Sequence, residues 1–390
     1  MASFLRKNPG PAGAPAPKTV VRQWLDSLVF AVVVATFFRW SAVEAYVIPS
    51  ESMEHSLLVG DYLFVSKLHY GPTTPQTPLQ VPLTHQTVPI LNVKSYSNLI
   101  QLPTYRFPGF SSVQRNDVVV FHVPHEQNRP ADLRTFLVKR CIAVPGDTLV
   151  IRQGQVWLNG KLASVVGHPQ TTYFMEVPAP SDEVRDALRT QGVVDYTQPD
   201  GVPALTTNLA TGKSGYFISC PAEVAAYLRR QPYVAGLAVA GGELPAGTLF
   251  PDAADFHVSE ARSARPQHWQ LDNYGPLPIP KQGQVIALTP ANSAIYYKIV
   301  SQYEYNQGVT WDAATGMMLQ HGQPLTSYTI KQNYYWMMGD NRHNSEDSRF
   351  WGFVPEDHVV GKAVLIWFSL DPHADLLHKV RWSRLLQPVS

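Results

Sequence analysis

The sequence has few residues that could support disulfide, metal or nucleotide chemistry. Only two cysteines, Cys141 and Cys220, occur among 390 residues, which is too few for a disulfide framework or a CxxC metal site. We therefore predict that both thiols are free. The 13 histidines show no HExxH or comparable ligand spacing, and no Walker-type or dinucleotide-binding glycine loop occurs. We accordingly expect neither a metal nor a cofactor.

The sequence also lacks an excess of charge of either sign. Lys and Arg number 31, Asp and Glu number 30, and the formal net charge is +1. This balance gives no reason to expect a nucleic-acid partner. Hydrophobic residues make up 45% of the chain, which is ample for the cores of about two to three domains.

The amino-terminal part of the chain predicts a membrane anchor. Residues 1–23 are rich in Pro, Ala and Gly at their start and predict a flexible tail. We predict a transmembrane helix over residues 24–46, although its uncharged centre, residues 27–38, is shorter than the roughly 20 residues that span a bilayer. The charges of Asp26 and Arg39 therefore have to lie near the membrane surfaces.

Basic residues flank this segment on one side. Arg6, Lys7, Lys18 and Arg22 all precede it, so the positive-inside rule places the amino terminus in the cytoplasm and the rest of a single-pass protein outside. Two other interpretations stay open, a buried helix of a soluble protein and a cleaved secretory signal ending at Ala45. A cleaved signal would export the remaining chain just as an anchor would.

Most of the remaining sequence predicts a mainly β protein with a folded antiparallel sheet or sandwich. Short β-branched or aromatic runs, separated by Gly, Pro and Asn, are typical of strands. We predict strands within residues 117–124, 135–144, 148–160, 293–305, 334–341 and 359–370. The catalytic β domain would comprise residues 47–160 and 273–371.

Three further segments interrupt or follow these strands. Residues 161–272 predict an inserted cap of mixed α and β structure, with helices starting after Ser181 and Pro221. Residues 70–90 are rich in Pro and Thr and predict an extended loop against the sheet. The tail, residues 372–390, is basic with leucines at near-helical spacing, so it would lie either on the membrane or against the domain.

Two serines, Ser50 and Ser52, follow the predicted anchor closely. A serine hydroxyl needs a nearby base, which is either a carboxylate-held histidine or a lysine kept neutral by burial. Lys139 lies in the apolar run FLVKRCIAV, where desolvation would lower its pKa. In a strand, Lys139 and Arg140 point to opposite faces. The alternative is an ordinary solvated lysine on an edge strand.

Five sequence motifs, in the order in which they occur along the chain, resemble those of a known family. They are PSESM at 49–53, RNDVVVF at 115–121, VKR at 138–140, PGD at 145–147 and GDNRHNSEDSRFWG at 339–352. Together they resemble the bacterial type I signal peptidases, which are membrane-anchored Ser/Lys endopeptidases. The resemblance covers roughly two thirds of the chain.

The resemblance implies roles for individual residues. Ser52 would be the nucleophile and Lys139 the general base, while Ser50 would add its hydroxyl to an oxyanion hole beside the Ser52 N–H. Ser345 would orient the lysine. Five charged residues would brace the site or, alternatively, form a purely structural network: Arg140, Asp340, Arg342, Asp347 and Arg349. Ile48 and Val138 would flank pockets for small side chains, unless they are simply part of the core.

The resemblance further implies that signal peptides are cut from exported preproteins after Ala-x-Ala sites at the bacterial inner membrane. The catalytic domain would face the periplasm or the outside, with preprotein signal peptides, membrane lipids and the secretion machinery as partners. Glu51 and His343 depart from the family pattern. Two alternatives stay open: a self-cleaving Ser/Lys protease, and a catalytically silent anchored domain that binds exported or envelope proteins.

Overall fold

The structure is a computed structural model that describes residues 19–126, 128–164, 166–195, 197–198, 201–209, 211–253 and 267–389. The first 18 residues of the predicted tail lie outside this part, as does the stretch 254–266 of the predicted cap.

One long exposed helix, α1 (Val20–Ser41), precedes the folded part. The side chain of Thr19 caps its first turn, and 22 residues at about 1.5 Å per residue reach about 33 Å, enough to cross a bilayer. The predicted bounds, 24–46, were wrong at both ends. The helix already includes residues 20–23, and Val43–Val47 form a strand because β-branched and aromatic residues there pair with a second strand.

The remaining elements are mostly short strands. The helices are α2 (Asp182–Thr190), α3 (Ala222–Leu228), α4 (Ser293–Lys298) and α5 (Ser348–Trp351). The strands of the first half are β1 (Val43–Val47), β2 (Asp61–Ser66), β3 (Val118–His122), β4 (Phe136–Ala143), β5 (Thr148–Arg152), β6 (Gln155–Leu158), β7 (Lys161–Leu162), β8 (Gln170–Glu176), β9 (Thr206–Thr207), β10 (Ser214–Pro221) and β11 (Gly236–Val239). Those that follow are β12 (Asn273–Pro278), β13 (Val285–Ala287), β14 (Val309–Asp312), β15 (Met317–Gln320), β16 (Gln323–Pro324), β17 (Ser327–Thr329), β18 (Tyr334–Met338), β19 (Val354–Pro355), β20 (Val359–Ser369) and β21 (Gln387–Pro388).

The main sheet is antiparallel and strongly curled. Its strand order is β1-β2-β20-β3-β4-β18-β19, with β21 paired to β20. The ring of Tyr46 on β1 lies 4.9 Å from that of Phe136 on β4, so two strands that are four positions apart in the order face each other. The mainly β fold with a folded antiparallel sheet is therefore confirmed.

The predicted cap contains a sheet and a core of its own. Its strand order is β11-β8-β10-β9, and α2 and α3 pack against it in a separate apolar cluster. Both helices start where the sequence predicts, and the Ser181 hydroxyl accepts a hydrogen bond from the Val184 N–H. The short strand β7 pairs with β6 instead, so the sheet of the cap begins only at Gln170.

The prediction of a strand over residues 293–305 was wrong. This stretch forms α4, followed by a π-helix over Ile299–Tyr303. Residues 293–300 are all buried, so α4 has no exposed side and its sequence shows no one-sided helical period. A short, mainly apolar run of β-branched and aromatic residues resembles a buried strand, but burial in the largest core cluster stabilises the helical form.

The carboxyl-terminal tail packs on the main sheet instead of forming an amphipathic helix. Strand β21 pairs with β20, and the Arg384 guanidinium lies 2.6 Å from Asp61. Of the two expected locations, the structure therefore shows packing against the domain. Cys141 and Cys220 are both free and buried, as predicted.

Candidate active site

Ser52 lies in a short 3-10 helix, Glu51–Met53, which follows strand β1 and has Ser50 at its N-cap position. The neighbouring Met53 is completely buried with Leu57 in an apolar cluster of the main sheet. Because a buried methionine fixes the backbone on either side of it, the Ser52 side chain is held in place. It is only 9% exposed.

Lys139 lies on β4 at the point where the neighbouring strand β18 leaves the sheet. It pairs with Val119 of β3 on one side, whereas the pairing with β18 begins one residue later, between Arg140 and Met338. The Lys139 Nζ atom therefore reaches the space beyond the end of β18. There it lies 2.6 Å from Ser52 Oγ and donates a hydrogen bond to it.

The surroundings favour the neutral form of this lysine. Lys139 is 3% exposed, and burial lowers its pKa to about 8, although the carboxylates of Asp347, Glu346 and Asp340 act in the opposite direction. Desolvation wins because the ammonium form loses its hydration in the protein interior. A serine in contact with a partly neutral amine has the arrangement of an activated nucleophile.

Gly339 allows a second hydroxyl, that of Ser345, to pack beside this pair, a role that sequence reasoning missed. A Cβ atom on this glycine would overlap both Ser345 Oγ and the carbonyl oxygen of Ser52. Only a residue without a side chain therefore allows Ser52 and Ser345 to pack on the same backbone atom. The Ser52 carbonyl also accepts a hydrogen bond from the Asn341 N–H, which ties the two loops together.

The two remaining predicted serines differ in their surroundings. Ser345 Oγ is buried and has no hydrogen-bond partner among the described residues, so no bond to Lys139 is present. A buried hydroxyl without a partner is costly, and Ser345 Oγ packs beside Gly339, next to the Ser52 carbonyl oxygen. Ser50 is exposed, precedes the short helix and does not cap it with its side chain.

Arg140 points away from Lys139, as strand geometry predicts, and forms a buried ion pair with Asp340. The Arg140 Nη2 atom lies 2.7 Å from Asp340 Oδ2, and neither side chain is exposed. Ser56 Oγ donates to the same carboxylate at 2.5 Å, and Arg140 Nη1 donates to the carbonyl of Asn116. This network connects β4 to the loop after β18 and to the chain just beyond Ser52.

Asp347 and Arg349 form a second buried ion pair. The guanidinium contacts both carboxylate oxygens, at 2.9 and 2.7 Å. Burial acts to raise the pKa of Asp347, but the charge of Arg349 and the hydrogen bonds from Arg349 and Gly339 together outweigh it and lower the pKa. The carboxylate also accepts the Gly339 N–H, so this pair holds the glycine that adjoins Ser52.

Arg342 takes part through its backbone. Its carbonyl accepts a hydrogen bond from Arg349, and its N–H donates to Gln170 of the cap. Within the described residues, its side-chain Nε and Nη2 atoms have no hydrogen-bond partner, and burial lowers its pKa to about 10. All five predicted charged residues thus lie buried around the site, but the Arg342 side chain forms no ion pair among the described contacts.

The cap contacts this loop at two points that the sequence did not reveal. Gln170 on β8 exchanges backbone hydrogen bonds with Asp340 and Arg342. His343, one of the two departures from the family pattern, lies 2.9 Å from Asp272 through Nε2. Glu51, the other departure, accepts a hydrogen bond from Asn344. Both unusual residues therefore connect the loop to its neighbours.

Ile48 and Val138 lie in the same apolar cluster as Met53. Ile48 is almost completely buried, and Val138 is half-buried next to Lys139. The outer edge of β1 has no partner strand in the described residues, and β4 has none beside Val138 on its β18 side. The two free strand edges border the Ser52–Lys139 pair. No group of three or more His, Cys, Asp or Glu residues suited to a metal occurs in the described chain.

Comparison with known proteins connects this geometry to one family. A family model described as "Signal peptidase, peptidase S26" matches residues 21–204 and 286–368. Signal peptidase I of Haemophilus influenzae is 24% identical over 92% of this chain and 73% of its own length. Signal peptidase I of Helicobacter pylori strain J99 is 23% identical over 94% of this chain and 91% of its own length.

A shorter match is stronger in identity. Signal peptidase I of Buchnera aphidicola subsp. Schizaphis graminum is 54% identical over 52 residues, which are 13% of this chain and 17% of that relative. The family model leaves residues 205–285 unmatched. That interval contains β10, α3, β11 and β12, so the family model does not cover the second half of the cap.

Proposed function

Because this chain belongs to the signal peptidase family, peptidase S26, we propose that it is a membrane-anchored serine endopeptidase that removes signal peptides from exported preproteins. The observation that carries the proposal is the 2.6 Å contact between Lys139 Nζ and Ser52 Oγ. A buried lysine beside a serine hydroxyl has few other chemical uses, since a charged ammonium there would be costly.

In the proposed mechanism, neutral Lys139 accepts the proton of Ser52 while Oγ attacks the scissile carbonyl carbon. The protonated lysine then donates to the leaving amine, which departs as the new amino terminus of the mature protein and leaves an acyl-enzyme. A water that gives its proton to the same lysine releases the signal peptide. One base therefore serves both half-reactions.

Two hydroxyls complete the proposed site. The exposed Ser50 hydroxyl and the Ser52 N–H would donate to the oxyanion, where each donor contributes about 3 to 4 kcal/mol in comparable sites. The partnerless Ser345 Oγ would accept a hydrogen bond from Lys139 when the amine turns toward the acyl-enzyme. We assign the buried charged residues around Gly339 to bracing, because their contacts hold backbone near both serines.

The free strand edges suit an extended substrate. A peptide between β1 and β4 would pair with their backbones, and its side chains would meet Ile48 and Val138. The buried position of Ile48 leaves little depth below the peptide, which favours small residues such as those of an Ala-x-Ala site. Helix α1 would place the enzyme and the membrane-held precursor in one plane, at the bacterial inner membrane with the site on its outer side.

The proposal is tested by cleavage of a detergent-solubilised precursor with an Ala-x-Ala site, followed by sequencing of the new amino terminus of the product. We expect one cut after the final Ala. A matched precursor with Leu at the last position before the cut should remain intact, because the shallow pocket excludes it. If a folded enzyme leaves several precursors uncut, the silent binding domain becomes the better hypothesis.

The pH dependence of the reaction follows from the burial of Lys139. Since only the neutral amine acts as a base, we expect kcat/KM to fall about tenfold per pH unit below about pH 8, the pKa of Lys139, and to level off above it. The control is Lys298→Met. Lys298 is equally buried, and burial lowers its pKa to about 7, but within the described residues its Nζ donates a hydrogen bond only to the Trp351 carbonyl. A pH profile that moves with Lys298→Met would contradict the assignment.

A further inference from the structure

The stretch between β2 and β3 has an unusual composition. Residues 62–116 contain no Asp or Glu, whereas the chain as a whole has 30 in 390 residues, so about four would be expected there. Four cations lie within the stretch: Lys67, Lys94, Arg106 and Arg115. Lys67 and Arg115 form ion pairs with Glu44 and Asp147. Lys94 and Arg106 are therefore the cations through which a negatively charged surface would attract this segment, which has no carboxylate to oppose them.

Within this stretch, residues 79–97 form a hairpin-like arm. Backbone hydrogen bonds connect its two sides, from Ser97 to Leu79, from Val81 to Ser95 and from Val88 to Val93. Its middle is fixed to the domain, since the Gln86 side chain donates to the Leu133 carbonyl at 3.0 Å and the His85 ring lies 4.4 Å from that of Phe136. The arm is therefore a defined projection from the β4 end of the sheet.

The tip of the arm is apolar and uncovered. Ile90 is fully exposed, and Leu91 and Val93 are more than half exposed. Ile90 has φ 73°, a left-handed conformation that is rare for a β-branched residue. Lys94 follows the tip and lies 5.3 Å above the Tyr96 ring. An apolar tip backed by a cation and a tyrosine is typical of segments at a membrane interface.

The acid-free stretch also adjoins the end of the membrane helix. The Trp40 indole donates to the Thr73 carbonyl at 2.8 Å, and its ring meets that of Phe107 at 6.3 Å. Arg39 Nη1 donates to the Thr84 carbonyl on the arm. Because α1 is just long enough to span a bilayer, its last turn lies at the lipid–water boundary, and segments that contact this turn lie there too.

We propose that the arm inserts its tip into the outer surface of the bilayer and forms a second membrane contact beside α1. The occupant of this apolar surface is lipid, because the arm is continuous with the end of the transmembrane helix and carries no negative charge. Since the middle of the arm contacts Phe136 of β4, insertion of the tip would fix the height of the substrate groove above the membrane.

The test uses the full chain in nanodiscs made of anionic and zwitterionic phospholipids, some with brominated acyl chains. A single NBD fluorophore is placed on Ile90→Cys or, as the matched control, on Leu209→Cys in the cap, where the leucine is 98% exposed. Cys141 and Cys220 are buried and should not react. We expect at least threefold stronger quenching by brominated lipid at position 90, with a blue-shifted emission.

Two further measurements decide between occupants. Adding Leu91→Asp and Val93→Asp to the labelled protein should reduce the quenching at position 90 to the level of the control. Equal quenching at positions 90 and 209, or quenching that survives both aspartates, would overturn the proposal. So would quenching that appears only after a precursor is added, because the arm would then bind the substrate. None of these readouts depends on peptidase activity.

Discussion

Ser52→Ala is expected to remove precursor cleavage, with a loss on the order of 10⁶-fold in kcat, as in serine proteases that lose their nucleophile. Lys139→Met is expected to reduce the rate to a similar level, because a nucleophile and its base act as a unit. Methionine preserves most of the side-chain volume at this buried position, so the loss would report the missing amine. Rates are measured on one precursor, with folding checked by near-UV circular dichroism.

The chain offers a matched control for the lysine. Lys298→Met removes an equally buried amine, since both lysines are 3% exposed, but it leaves the Ser52 contact untouched. Because burial disfavours the charge of Lys298, this variant should be at least as stable as the wild type and retain its activity. Full activity in Ser52→Ala or Lys139→Met would show that the dyad is not the reaction centre. Equal losses in both lysine variants would show that buried charge, and not base chemistry, is being measured.

The sequence predicted the dyad because its motifs are local and ordered. Lys139 lies in an apolar strand run, which suits a buried lysine of lowered pKa but equally an ordinary solvated lysine on an edge strand. The hydrogen bond between Lys139 and Ser52 spans 87 positions, so no periodicity could have predicted it. The family resemblance supplied that pairing, and the structure places the two atoms in contact.

Other features of the site depend on contacts that no local pattern encodes. Gly339 is needed because two loops meet at its Cα atom, and glycine in a GDN sequence is equally typical of an ordinary turn. Gln170 joins the site through its backbone, which leaves no trace in its side-chain identity. Asp272 became relevant only when the fold placed it beside His343.

The errors in secondary structure have the same origin. Residues 43–46 directly continue an apolar run, but pairing of β1 with β2 stabilises a strand. Residues 293–303 are rich in strand-forming types, yet they form a helix that is buried in the largest core cluster. In both cases tertiary packing outweighs local propensity.

Breaking the ion pair between Arg140 and Asp340 is expected to have the largest effect on stability. Neither side chain is exposed, so Asp340→Ala leaves a buried guanidinium without its carboxylate, at a cost of about 3 to 5 kcal/mol in the free energy of unfolding. Ser56→Ala is the matched control, since it removes one hydrogen bond to the same carboxylate but leaves the ion pair in place, and it should cost less, about 1.5 to 3 kcal/mol. Chemical denaturation in detergent, followed by tryptophan fluorescence, measures both.

The double variant Arg140→Met, Asp340→Ala separates bracing from a purely structural role. Removing both charges should restore part of the stability lost in Asp340→Ala, because no uncompensated charge remains. If the pair braces the site, kcat/KM of the folded double variant should remain about 100-fold below the wild-type value, since a displacement of the catalytic groups by about 1 Å has that effect. Recovery of both stability and activity would assign the pair to the fold alone. A loss below about 1 kcal/mol in Asp340→Ala would mean that solvent reaches the Arg140 charge after all.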